Sequence, residues 1–354
     1  MSIFSDPAFD GHELVAFHEH AASGLRAIVA VHNASLGPAV GGCRMYAYDS
    51  DAAALNDVLR LSRGMTYKSA LAGIPLGGGK SVIIGDPKKL KNRELLLAFG
   101  EFIDSLNGRY VTAEDSGTTV ADMKVIGERT AHVSGVTSQQ RFGGDPSPYT
   151  AYGVYCGIRA ALRFQRGTDD LKGLRIAIQG VGAVGRHLAE RLLRQGADVI
   201  VADVCRDNLS RAEKLGARIV PVEDILSVRC DVLAPCAMGA VINPQTVTTL
   251  RTDIVAGAAN NQLATPLQSE QLLQRGILYA PDFVINAGGI IDVYYQQQGG
   301  SSEQSEKHVE RIADTLTEIF NKAEGERQST HAIAEAMAES IFRGEKGFGV
   351  KASA

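Results

Sequence analysis

The stretch that most narrows the fold of this chain is "LRIAIQGVGAVGRHLAERLLRQGADVIVADV", residues 174–204. It opens on a short apolar run suited to a strand buried on both faces of a parallel sheet. That run passes directly into Gly180-Val181-Gly182-Ala183-Val184-Gly185, a G-x-G-x-x-G pattern opening a helix that Gly196 closes. A second strand follows and ends at Asp203. The glycine pattern alone is weak, but a strand before it, a helix after it and an acidic residue at the next strand end make it specific. Gly180 permits the tight turn, Gly182 lets the backbone approach a pyrophosphate, and Gly185 lets helix and strand pack closely. The first turn, with Ala183 and Val184, offers amides and partial positive charge to phosphates. A carboxylate at Asp203 accepts from ribose hydroxyls and repels a 2′-phosphate. NAD is therefore expected over NADP, although Arg206, three residues on, is able to meet a 2′-phosphate. Further βα-like units run through "CDVLAPCA", "TDIVAGAA" and "ILYAPDFVI", so a doubly wound parallel sheet is expected.

At 354 residues the chain has room for a second domain. The first part alternates strand-like "RAIVAVHN", helical "DAAALNDVLRLSRGMTYKSALA" with Asp51 as a plausible N-cap, strand "KSVIIG", amphipathic "NRELLLAFGEFIDSL" and strand "RYVTAED". It reads as an α/β domain over residues 1–136. The break is expected near Thr137, before the "GGDPSPYT" punctuation, with a helix starting near Tyr149 or Thr150 and a dinucleotide-binding domain over 137–324. "EKHVERIADTLTEIFNKA" has Val309, Ile312, Leu316, Ile319 and Phe320 at helical spacing. The C-terminal helical region, 325–354, is expected to pack back on the first domain.

Several function classes are disfavoured. The formal charge is −4, from 36 basic and 40 acidic residues without long blocks of either sign, so neither nucleic acid nor membrane is expected as a partner. No apolar run is long enough to span a bilayer, and the start "MSIFSDPAFDGHEL" has no signal-peptide character. Five cysteines, an odd number without C-x-x-C spacing, suit reduced thiols in a cytoplasm. The histidines lack a ligand set, so no metal site is expected.

The stretch "LAGIPLGGGKSVIIGDP" runs three glycines into Lys80. A phosphate-cradling P-loop would need a glycine where Ile74 stands, and a helix, not a strand, after the lysine. The lysine therefore serves another purpose, and the glycine loop before it is expected to let Lys80 approach a substrate without side-chain obstruction. Lys68 lies upstream across a helix end and the glycine run, and Glu114 and Asp115 close the strand "RYVTAED". Two lysines and a carboxylate at strand ends suit an anionic substrate and proton transfer. A lysine acts as a base near neutral pH only when burial or a neighbouring cation lowers its proton affinity. Lys68 is able to be that cation.

The chain resembles the glutamate/leucine/phenylalanine/valine dehydrogenase family, in its leucine dehydrogenase branch. The matching stretches are "LGPAVGGCRM", "LSRGMTYKSALAGIPLGGGKSVIIGDP", "YVTAEDSGTT", "GDPSPYTAYGVY", "IQGVGAVG", "GAANNQL" and "PDFVINAGGIIDV". They span nearly the whole chain in the family's order. The resemblance implies a substrate-binding and oligomerisation domain ahead of a Rossmann-type domain, with the active site in the cleft between them. It implies reversible oxidative deamination of an L-amino acid with NAD to a 2-oxo acid and ammonia, in a homo-oligomer, dimer or octamer. Carried over, Lys68 binds the substrate carboxylate with Met65 and the Gly41-Gly42 backbone. Lys80 is the low-pKa lysine that activates water, and Asp115 exchanges protons with the substrate nitrogen. Asn261 places substrate and nicotinamide, with Thr150 and Asn286 near the nicotinamide. Val40, Ala113, Ile290 and Val293 match side-chain pocket positions, and their apolar character suits leucine, valine or isoleucine. Tyr294 and Tyr295 depart from the leucine-type pattern, which keeps phenylalanine or tryptophan open. A protein that senses NAD without catalysis is the alternative of another class, but it would not need Lys68, Lys80 and Asp115 together.

Overall fold

The computed structural model describes residues 3–135, 145–237 and 239–344, and the chain divides into two compact units. The first takes in the described residues of Met1–Gly144, Gln296–Gly299 and Ala338–Ala354; the second takes in those of Asp145–Tyr295 and Gly300–Met337. The junction expected near Thr137 lies outside the described residues, as does the end of the C-terminal region from residue 345.

The first unit contains β1 (Leu14–His20), β2 (Leu25–Asn33), β3 (Ala39–Tyr46), α1 (Asp51–Ala72), β4 (Gly77–Ile84), α2 (Pro87–Leu90), α3 (Arg93–Ser105), β5 (Tyr110–Glu114) and α4 (Val120–Ile126). Its five strands are ordered β1-β2-β4-β3-β5. β2 runs antiparallel to β1 and β4, while β3 runs parallel to β4 and β5. Strand alternation separates two faces. Ala27, Val29, Cys43, Met45, Ile83 and Tyr110 join Leu95, Phe99, Phe102 and Ile103 of α3 in one core. Ile28, Ala30 and Val82 face the other way and pack with Ala54, Val58 and Leu59 of α1. Ser50, not the expected Asp51, caps α1, accepting from the Ala53 amide at 3.1 Å. Asp51 instead pairs with Arg26 at 2.7 Å. Near the C-terminus, Glu339 accepts from Tyr67 Oη at 2.6 Å, and the Phe342 ring meets those of His32 and Tyr67.

The second unit carries α5 (Ser147–Arg166), β6 (Arg175–Gln179), α6 (Ala183–Arg194), β7 (Asp198–Ala202), α7 (Arg206–Lys214), β8 (Arg218–Ile219), β9 (Val232–Pro235), α8 (Thr246–Thr249), β10 (Ile254–Val255), α9 (Leu267–Gln274), β11 (Leu278–Tyr279) and α10 (Asp282–Ile285). After these come α11 (Gly288–Gln297), α12 (Ser302–Glu310), α13 (Ile312–Glu326) and α14 (Thr330–Phe342), the ends of α11 and α14 counting with the first unit. The sheet is wholly parallel, ordered β11-β10-β9-β6-β7-β8. Counted from β6, this is the 3-2-1-4-5-6 order of a doubly wound dinucleotide fold, with its switch point between β6 and β9. Helices cover the sheet, and every residue of β9 and β10 is buried, which is why these strands read as continuous apolar runs. No helix among the described residues is long and apolar enough to cross a membrane.

Candidate active site

In the first unit, the register puts Val40 opposite Gly78 and Val111, Gly42 opposite Ala113, and Lys80 opposite Ala30. Val40, Gly42, Arg44, Lys80 and Ala113 therefore share one sheet face, the face that α1 covers further along. On it Lys80 Nζ lies 2.5 Å from Asp115 Oδ2, with side chains only 8% and 18% exposed. Burial pushes the Asp115 carboxyl up, but the Lys80 ammonium and the Arg44 guanidinium outweigh it and hold the group well below the usual carboxylate range.

The glycines before Lys80 do not form a loop. Gly77, Gly78 and Gly79 belong to β4, inside the sheet. A Cβ on Gly78 would stand 2.1 Å from the Thr66 backbone nitrogen of α1, and one on Gly79 would stand 2.5 Å from the Tyr110 ring. These glycines admit neighbouring structure, not substrate, which corrects the expectation that they clear an approach for Lys80. Because Thr66 seats directly on Gly78, the turn of α1 that carries Met65 and Lys68 is fixed beside the same strand; both side chains are half-buried. Gly42 is packed against the charged pair itself. A Cβ there would lie 2.6 Å from Asp115 Cβ and 3.2 Å from Lys80 Nζ. Gly41 is closed by backbone, and its carbonyl accepts from Tyr110 Oη at 2.6 Å.

Arg44 is part of this cluster, and nothing in the motif reading singled it out. Its Nη1 lies 2.9 Å from Asp57 Oδ2 on α1, and its Nε lies 3.5 Å from Asp115 Oδ2. Tyr48 also donates to Asp57 Oδ2, at 2.6 Å. The available signal was a cation two residues after the Gly-Gly pair on a strand, hence on the same face as Gly42. The loop after β5 is pinned as well. Thr118 Oγ1 accepts from the Asp115 amide at 3.0 Å and donates to the Cys43 carbonyl at 2.8 Å.

In the second unit, Gly180 has φ +90°, and a Cβ on it would meet Ala237 at 2.6 Å. A Cβ on Gly185 would meet the Gly180 carbonyl at 2.0 Å, whereas nothing lies within 4 Å of one on Gly182. Gly182 is the N-cap of α6, and no side chain caps the helix start. The amides around Ala183 and Val184 thus face a cleared space beside the switch point. Asp203 follows β7; its Oδ2 accepts from the Val181 amide at 2.8 Å and from Asn208 Nδ2 at 3.3 Å, and its Oδ1 accepts from the Cys205 amide at 2.7 Å. The carboxylate is half-buried and retains acceptor capacity. Arg206 is exposed at the first position of α7. Asn286 Nδ2 donates to the Ala258 carbonyl at 3.0 Å and to Asn260 Oδ1 at 2.8 Å, but its buried Oδ1 has no partner among the described residues. A buried acceptor without a donor is costly and points to a ligand amide or hydroxyl. These residues fit a dinucleotide. Asn261, next to Asn260, holds φ +51°. Thr150 sits in the first turn of α5, where its hydroxyl occupies the space a Cβ on Gly289 would take. Ile290 and Val293 lie half-buried on α11, and the rings of Tyr294 and Tyr295 on the same helix meet edge to face. Among the described residues no group of His, Cys, Asp and Glu is arranged to hold a metal.

Comparison with known proteins adds a family. A model described as Glu/Leu/Phe/Val dehydrogenase, dimerisation domain, matches residues 13–132, and one described as Glutamate/Leucine/Phenylalanine/Valine dehydrogenase matches residues 202–343. Leucine dehydrogenase of Geobacillus stearothermophilus is 48% identical over 340 residues, covering 96% of this chain and 93% of that one. Valine dehydrogenase of Streptomyces virginiae is 44% identical over 333 residues, covering 93% of each. The crystal structure of L-tryptophan dehydrogenase from Nostoc punctiforme aligns with a TM-score of 0.79 at 41% identity, covering 95% of this chain and 97% of that one.

Proposed function

The chain belongs to the glutamate/leucine/phenylalanine/valine dehydrogenase family and is a nicotinamide-dependent amino-acid dehydrogenase, and we propose that its reaction is the reversible NAD-dependent oxidative deamination of an aliphatic L-amino acid: leucine, valine or isoleucine. The observation that carries the proposal is the Lys80–Asp115 pair packed against Gly42, with apolar Val40 and Ala113 on the same face.

Lys68, with Met65 and the Gly41-Gly42 backbone, holds the substrate carboxylate. Bound NAD supplies the oxidant, taking a hydride from the substrate Cα. Before that, the substrate ammonium gives up one proton, and Asp115 is the nearby carboxylate able to take it. Water then adds to the iminium carbon while Lys80 accepts a proton from it. Asp115 returns its proton to the nitrogen, the C–N bond breaks, and ammonia leaves. The remaining hydroxyl proton passes through Lys80 to solvent, leaving the 2-oxo acid. Asp115 is held ionised between two cations, so the proton it takes up comes from the bound substrate ammonium and not from solvent. The two groups act as one unit.

The carboxylate at Asp203 supports NAD over NADP. Asn286 and Asn261 hold the nicotinamide side of the cofactor, with Thr150. Val40, Ala113, Ile290 and Val293 offer no charge to a side chain, which supports an aliphatic substrate and disfavours glutamate. A second reading, an aromatic amino acid, is favoured by the likeness to the tryptophan dehydrogenase and by Tyr294 and Tyr295. The description of the first family model as a dimerisation domain supports a homo-oligomer. NADH formation from each amino acid, and NADH consumption with the 2-oxo acids and ammonia, tests the assignment. Absence of turnover with every substrate would leave only dinucleotide binding.

A further inference from the structure

In the reaction as described Arg44 carries no proton, yet the structure holds its side chain between two carboxylates. Arg44 comes from β3, one alternation beyond Gly42. Its guanidinium touches two carboxylates, Asp57 of α1 at 2.9 Å and Asp115 at 3.5 Å. The Asp115 oxygen it approaches is the oxygen that Lys80 approaches at 2.5 Å. Asp57 is in turn held by the Tyr48 hydroxyl. We propose that Arg44 is a positioning residue that keeps the Asp115 carboxylate ionised and in place through the step in which Lys80 gives up its charge.

The proposal rests on the reading of Lys80 and Asp115 as the proton-handling pair. To act as a base, Lys80 must first release a proton to solvent. Its neighbour would then be a largely buried carboxylate without its ammonium, and burial favours protonation of such a group. Asp115 would capture the proton and could no longer take one from the substrate ammonium. A guanidinium prevents this because it does not itself release a proton near neutral pH. Asp57 limits the effect from the other side by taking part of the Arg44 charge. Of the other charged groups, Glu114 alternates to the opposite side of β5 and Lys68 is a further cation on α1. Thr118 offers a hydroxyl, burial pushes the Cys43 thiol up to about 12, and Asp122 of α4 is paired with Lys91 at 2.8 Å.

The test is the pH dependence of kcat/KM for deamination in the full-length enzyme, which reports the free protein's titrating pair. Arg44→Gln removes the cation, so the midpoint of the rising limb should move up by about one to three pH units. Activity should persist on the alkaline plateau, and Arg44→Lys should restore most of the midpoint. Asp57→Asn removes an anion and should move the midpoint the opposite way, by less. A merely structural role would lower activity at all pH values without moving the midpoint, and that result in Arg44→Gln would overturn the proposal. So would an upward shift in Asp57→Asn, which decides the matter by sign if Arg44→Gln does not fold. Lys80→Ala measured alongside separates the claims: near-normal turnover there removes the underlying reading, while an inactive Lys80→Ala with an unmoved Arg44→Gln profile removes Arg44 alone.

Discussion

Gly42→Ala adds one methyl group directly against the Lys80–Asp115 pair. The Gly42 backbone lies outside the left-handed region, so alanine meets no conformational strain and the effect is steric. The new Cβ would lie 2.6 Å from Asp115 Cβ, 2.9 Å from the Glu114 carbonyl oxygen and 3.2 Å from Lys80 Nζ. Carbon atoms rest at about 3.5–4.0 Å, so the Asp115 side chain must retreat by roughly 1 Å. It cannot do so freely, because Thr118 ties its amide and the β5 backbone is paired to β3. Overpacking of this kind costs about 1–3 kcal/mol in stability. Misplacement of a reacting group by about 1 Å costs on the order of 100-fold in rate. Urea unfolding and steady-state kinetics should therefore show a modestly destabilised protein with kcat/KM reduced by about two orders of magnitude, and dinucleotide binding intact. A near-wild-type kcat/KM would refute the reasoning that Gly42 keeps the Lys80–Asp115 pair clear.

Three further outcomes are expected. Lys80→Ala should lower turnover by several orders of magnitude, on the scale of a general base together with its electrostatic contribution, while NADH binding measured by fluorescence survives. Asp203→Ala should weaken NAD binding and relax discrimination against NADP; wild-type preference for NADP would transfer the role to Arg206. Burial, reinforced by the neighbouring His12, pulls His32 down from 6.5 to about 4. A depressed histidine contributes stability that is present above pH 6.5 and is lost as pH falls through about 4, in total roughly 3 kcal/mol. His32→Asn should flatten urea-measured stability across that window; an unchanged slope would clear His32.

Legibility in the sequence followed how local each determinant is. The doubly wound sheet was readable because strand, glycine turn, helix and acidic strand end follow one another in order, each with its own signature. Lys80 and Asp115 were readable through family motifs, and they pair across β3, where Gly42 puts no side chain between β4 and β5. The Gly77–Gly79 run read as a loop because glycine carries no side-chain pattern and disfavours strands. It is a strand because Thr66 and the Tyr110 ring fill the missing side-chain volume, and both arrive from elsewhere in the chain. Arg44 escaped for a related reason. Its partners, Asp57 and Asp115, sit on different elements, and only the register of β3 against β4 and β5 brings the four charges together. The capping of α1 by Ser50 in place of Asp51 is a one-residue difference between two good capping types, decided by which backbone leaves the helical region first.

The central claim is a proton-handling pair that serves an aliphatic amino acid. It is tested most directly by kcat/KM for leucine, valine, isoleucine, phenylalanine, tryptophan and glutamate with NAD under one set of conditions. Each buried methylene favours binding by about 0.8 kcal/mol, whereas a glutamate carboxylate would lose its water without gaining a partner, at a cost of several kcal/mol. The account predicts that an aliphatic amino acid leads and that glutamate trails by several orders of magnitude. An aromatic leader would reassign the pocket and leave the chemistry standing; a glutamate leader, or no NADH from any of the six, would contradict the account.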